Sequence, residues 1–86
     1  MSDKPTLTPA ELLELRNRLD DIDTGIVDLI AERQAVVTAI GEHKLKTGAP
    51  LRHYAREREV IDRGMSRAES HGLPGAVARD VLETLI

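Results

Sequence analysis

Cysteine, phenylalanine and tryptophan are all missing from this chain, and Tyr54 is its one aromatic residue. Without cysteine there can be no disulfide and no thiolate-bound metal. The three histidines, His43, His53 and His71, stand at spacings that match no zinc pattern, so no metal is expected. No apolar run approaches the ~20 residues that cross a bilayer, and the opening MSDKPTLTP holds no signal-peptide core. The cytoplasm is therefore the expected compartment, with no membrane contact. A formal charge of −3 and a single aromatic leave neither a basic footprint nor a stacking platform, which argues against nucleic acid as a partner. A chain of 86 residues is enough for one small domain. A domain of that size buries only about 60% of the surface its unfolded form exposes, and is marginal alone. With disulfides and metals set aside, a partner subunit is the remaining source of stability.

Leu, Ile, Val and Ala are left to build the core, which suits helix-on-helix packing, and the pattern is all-α throughout. Residues 1–8 read as a disordered leader. Thr8 can cap a helix, Pro9 fits its first position, and Glu11 sits three residues after the cap to complete a capping box. Apolar residues then recur at Leu12, Leu15, Leu19, Ile22, Ile26, Leu29, Val36 and Ile40 in steps of three and four, with position 33 the one gap. Such a sustained heptad seam predicts a helix from about residue 9 to about residue 46, stopped by Thr47-Gly48-Ala49-Pro50. At ~1.5 Å per residue it would be on the order of 55 Å long. A compact domain of this size is only ~25 Å across. The seam would stay wet unless another chain covers it, most simply in an intertwined antiparallel homodimer. A second helix is expected from Tyr54 to Ser70, with Val60, Ile61, Met65 and Ala68 on one side and His71-Gly72 as its stop. Pro74 opens a third, carrying Val77, Val81, Leu82 and Leu85. That pattern breaks off at Ile86, so the third helix is read as truncated.

Several charges stand where a reason is needed. Arg33 occupies the gap in the seam, and a buried arginine is costly unless an anion meets it. It either snorkels or pairs with an acid across the dimer, or it grips a ligand carboxylate. Lys44 lies eleven residues on and faces the same way within ~20°, ~16 Å further along the axis. It can clasp a small anion together with Arg33, or simply be a solvated lysine that suits the helix C-terminus. Arg16 is ~42 Å from Lys44 along the helix and cannot share its ligand within one chain. In an antiparallel pair it would enter the partner's site; alone, it reads as an exposed residue paired with Asp20. The run Arg56-Glu57-Arg58-Glu59 reads as a solvated face laced with ion pairs, of which only one or two side chains can face inward.

Five blocks taken together carry a resemblance. They are Leu15-Arg16, Asp20-Asp21-Ile22-Asp23, Leu29-Ile30-Ala31-Glu32-Arg33, Ile40-Gly41-x-x-Lys44, and Pro50-Leu51 followed by Arg56-Glu57. At these spacings the chain closely resembles the all-α chorismate mutases over about residues 11–86, and residues 9–86 read as a domain of that type II family. The stretch Ala68 to Pro74, followed by Asp80-Val81-Leu82, looks most like the mutase domain of chorismate mutase/prephenate dehydrogenase. The resemblance implies three helices per chain in an intertwined homodimer, with two sites built from both chains. It implies that Arg33 holds one substrate carboxylate and the partner's Arg16 the other. Lys44 would donate to the ether oxygen, while Arg56 and Glu57 lie over the substrate, the glutamate meeting its ring hydroxyl. His53 falls where some relatives place an acid that contacts the substrate. The family also uses a Gln or Glu on the third helix, at a position about seven residues beyond Ile86.

The implied activity is the rearrangement of chorismate to prephenate in phenylalanine and tyrosine biosynthesis, without a cofactor. A fused or associated prephenate dehydrogenase or dehydratase is the implied companion. Three rivals remain open. One is an isochorismate pyruvate lyase or aminodeoxychorismate mutase on the same scaffold. Another is a non-catalytic ligand-binding or dimerisation domain, and the last is a plain coiled-coil adaptor, which leaves Arg33 unexplained.

Overall fold

A computed structural model describes residues 6–86. The first five residues of the expected leader lie outside the described residues, and residues 6–8 carry no regular structure. Three helices follow: α1 over Pro9–Thr47, α2 over Tyr54–Ser70 and α3 over Gly75–Leu85. The described residues contain no strand.

Each helix end has a local cause. At the start of α1 the Thr8 hydroxyl accepts the Glu11 amide at 3.1 Å and donates to the Glu11 carboxylate at 3.1 Å. The cap and its glutamate thus engage each other through side chains. At the far end Gly48 takes φ +72, which lets the Ala49 amide turn back onto the Lys44 carbonyl at 3.1 Å. The same device ends α2: Gly72 sits at φ +74, its amide bonds the Glu69 carbonyl, and the Leu73 amide bonds the Ala68 carbonyl, each at 2.9 Å. Only a residue without a Cβ adopts this left-handed conformation at little cost. Pro74 stands one place outside α3, as its N-cap, and offers no side-chain acceptor.

The chain divides into two units, Met1–Thr38 and Ala39–Ile86. In the first, α1 presents its heptad seam to solvent: Leu12, Leu15, Leu19, Ile22, Ile26, Leu29 and Val36 are 39–65% exposed. In the second, α2 and α3 pack on each other as a helical hairpin joined by a tight turn. The predicted inner side of α2 is the sheltered one. Ala68 is buried, while Val60, Ile61 and Met65 are half-buried. The apolar residues of α3 split between two sides. Leu82 and Leu85 are half-buried together with Ala78, whereas Val77 and Val81 remain exposed. Steps of three and four carry Gly75, Ala78, Leu82 and Leu85 along one stripe, and Val77 and Val81 fall beside it. Ala68, at 7% exposure, is the one buried hydrophobic residue among the described residues. No helix among the described residues is long and apolar enough to cross a membrane.

Gly64 of α2 packs close against α3: an added Cβ would run into Cδ1 of Leu82 and lie 3.8 Å from the Ala78 Cβ. Gly64→Val should therefore destabilise the fold by about 1–3 kcal/mol through overpacking, with no offset from helix propensity beyond a few tenths. Gly64→Ala should cost less, because only the flexible end of Leu82 has to swing away. Urea midpoints of the two variants check this, and a Val variant as stable as the parent would contradict the close packing.

Candidate active site

Most of the expected site residues gather around the passage from α1 into α2. Lys44 lies in the last turn of α1 and is half-buried. Its carbonyl accepts the Ala49 amide and, at 3.3 Å, the Thr47 hydroxyl; its Nζ donates to the Leu51 carbonyl at 3.4 Å. One residue thus closes the helix with its backbone and reaches the following connection with its side chain.

The N-terminus of α2 is built by three side chains in sequence. His53 is the N-cap: its Nδ1 accepts the Arg56 amide at 3.0 Å, which fixes the neutral ring's proton on Nε2. Arg52, one residue earlier, reaches forward to Glu57 in a parallel fork, Nε to Oε2 at 3.0 Å and Nη2 to Oε1 at 3.1 Å. These two positions flank the cap where many helices place an apolar contact; here an ion pair fills the role. The Arg52 guanidinium also lies over the Tyr54 ring, 4.6 Å from its centre. The Glu57 hydrogen bond, followed by the Glu57 charge and then Tyr54, raises the Arg52 pKa above its ordinary value.

The run Arg56 to Glu59 separates as helical geometry requires. Arg56 bonds Glu59 at 3.1 Å, Glu59 bonds Arg63 at 2.6 Å, and Arg58 stands 3.9 Å from Asp62, all on open surface. Glu57 is the member turned away, its side chain only 23% exposed. So all four residues are ion-paired, Arg56, Arg58 and Glu59 on open surface and Glu57 in the more sheltered place. A shallow depression on α2, lined by Ala55, Arg58, Glu59, Asp62, Arg63 and Ser66, includes none of the expected site residues.

In the other unit, Arg33 is half-buried although its seam neighbours Leu29 and Val36 are 65% and 55% exposed. Arg16 is exposed, and among the described residues no ion pair joins it to Asp20. Sequence reasoning missed Arg52 and Tyr54 altogether. The signal was present: an arginine immediately before a helix cap and a glutamate five residues later, across it, form a pair that the turn itself brings together.

Comparison with known proteins identifies the family. Residues 15–86 match the family model described as chorismate mutase type II. The chain is 34% identical over 77 residues to the T-protein of Enterobacter agglomerans, a match covering 90% of this chain and 21% of that protein. It is 30% identical over 76 residues to a chorismate mutase of Methanocaldococcus jannaschii, covering 88% of this chain and 77% of the relative. A bifunctional chorismate mutase/prephenate dehydratase of Aquifex aeolicus is 42% identical over 53 residues, 62% of this chain and 15% of that protein. The chain thus spans about a fifth of the length of the T-protein and most of the length of the archaeal relative. The described residues form helices and connections only, an all-α chain. The chain belongs to the chorismate mutase type II family.

The cap supplies a check on the local geometry. Removing the imidazole in His53→Ala should cost about 1 kcal/mol of stability, and His53→Asn should recover most of it, because asparagine also caps. Thermal unfolding of the two variants reads this out. Equal melting temperatures for His53→Ala and the parent would show that the Nδ1 bond carries no weight.

Proposed function

We propose that this domain is a chorismate mutase, rearranging chorismate to prephenate as a homodimer in the cytoplasm. The observation that carries the reading is an inversion along α1. Arg33 and Lys44 are each half-buried, while the apolar seam from Leu12 to Ile40 is exposed. Cations held in partly sheltered places are suited to binding an anionic ligand, and an uncovered apolar seam calls for a second copy. An antiparallel dimer answers both, because it would carry Arg16 of one protomer toward the cations of the other.

The reaction is a concerted pericyclic shift in which one C–O bond breaks as one C–C bond forms. It needs no nucleophile, no proton transfer and no redox step. The protein's work is to hold the enolpyruvyl arm over the ring and to stabilise the charge that grows on the ether oxygen. Arg33 and the partner's arginine at position 16 would clamp the two carboxylates in a near-attack pose. Lys44 would donate to the ether oxygen, an interaction that strengthens as the bond breaks. Its present bond to the Leu51 carbonyl, at 3.4 Å, is long enough to yield to a better acceptor. Glu57 would accept the ring hydroxyl, and Arg56 would exchange its surface bond to Glu59 for the substrate. His53 would act beside the substrate chiefly by holding the first turn of α2.

Glu57, suited to a hydroxyl, favours chorismate over its amino-substituted analogue. Among the relatives, the bifunctional chorismate mutase/prephenate dehydratases suggest that a prephenate-consuming enzyme, a dehydratase or a dehydrogenase, is joined to or works beside this domain.

Loss of chorismate absorbance with purified protein tests the activity. Lys44→Ala should lower turnover by about 10²–10³, the usual cost of removing one preorganised donor. His53→Ala should lose far less. Near-equal rates for these two variants, or turnover of isochorismate in preference to chorismate, would contradict the assignment.

A further inference from the structure

We propose that Arg52 is a positioning residue for the reaction: with Tyr54 beneath it, it fixes the Glu57 carboxylate in the orientation that receives the substrate's ring hydroxyl. This rests on the reading of Glu57 given above. Three observations converge on it. Glu57 is the sheltered member of the charged run, and its neighbours pair among themselves on the open side of α2. A glutamate has three side-chain torsions to settle, and the Arg52 fork settles them by holding both oxygens at 3.0 and 3.1 Å. Each oxygen spends one acceptor site on the fork and keeps another for a hydroxyl. The arginine is itself held, since its guanidinium lies 4.6 Å over the ring of Tyr54, the first residue of α2.

A purely structural purpose is served poorly by this pair. Arg52 is 64% exposed, and ion pairs in that setting add little stability. An apolar pair at the same two positions would set the chain's path into the helix equally well. What the fork adds is direction at a carboxylate, and a donor or acceptor misplaced by about 1 Å can cost ~10²-fold in rate.

The test is steady-state kinetics with chorismate on Arg52→Ala, Arg52→Lys, Glu57→Ala and the Arg52→Ala/Glu57→Ala double variant, with helix content checked by circular dichroism. Arg52→Ala should lower kcat/KM about tenfold, in the range that supporting residues command. Arg52→Lys should fall nearly as far, because a point charge cannot reproduce the fork. In the Glu57→Ala background, removing Arg52 should change nothing further, since the effect passes through the carboxylate. Parental kinetics in Arg52→Ala would overturn the proposal. So would full rescue by lysine, which would mean that charge alone attracts the dianion. An equal loss in both backgrounds would likewise assign Arg52 a role independent of Glu57. In all three cases an active parent and an impaired Glu57→Ala leave the mutase reading intact. A parent that leaves chorismate unchanged, or a Glu57→Ala at the parental rate, would overturn the reading of the site and this inference with it.

Discussion

The apolar seam of α1 is the feature on which the proposed dimer and its shared site depend. Leu12, Leu15, Leu19, Ile22, Ile26, Leu29, Val36 and Ile40 are 39–65% exposed. Fully burying a side chain of this size is worth about 1.5–3 kcal/mol. Even half of that for each of these eight residues comes to about 6–12 kcal/mol, as much as the whole stability of a small domain. A protomer with Ala68 as its one buried hydrophobic among the described residues holds nothing comparable in reserve. In the proposed dimer the same burial supplies the stability and, by running two helices past each other, sets Arg16 of one chain beside the cations of the other. Stability and site formation would then be one event.

The residues around the junction of α1 and α2 show how ordinary backbone needs can prepare a site. The Lys44 carbonyl satisfies the helix end, and its ammonium is left within reach of the connection. His53 caps α2 through Nδ1, which aligns the first turn and with it Arg56 and Glu57. The Arg52 fork then fixes the carboxylate. Each of these contacts lies within a few residues in sequence, so this part of the site depends little on long-range packing. In the proposed dimer the carboxylate clamps would depend, by contrast, on how α1 meets a second copy.

The long helix was legible because its signals reinforce one another: a capping threonine, a proline at the first position, a heptad register broken only at Arg33 and a stop at Gly48 to Pro50. Its observed span, Pro9–Thr47, extends the expectation by one residue. Arg33 stood out because it interrupts the apolar register and Lys44 because it faces the same way, and both are half-buried. The division of α3 was not legible. Val77, Val81, Leu82 and Leu85 share a composition, and only the meeting of Ala78 and Leu82 with Gly64 decides which of them turn toward α2. Nor was the Arg52–Glu57 fork, because charge runs ordinarily mean solvated surface, and the exception is set by the angle at which the connection enters α2. His53 was read through a resemblance as a substrate contact. Its place in the fold is the cap, a role that many polar residues fill and that sequence alone does not single out for histidine.

The most direct test of the shared site is complementation between two disabled chains. Arg16→Ala and Lys44→Ala proteins, each inactive alone, would be unfolded together, refolded as a mixture and assayed with chorismate. If every site draws Arg16 from one protomer and Lys44 from the other, half of the dimers are mixed and each contains one intact site, so activity should return to about a quarter of the parental value. A mixture as inactive as its components would contradict the account.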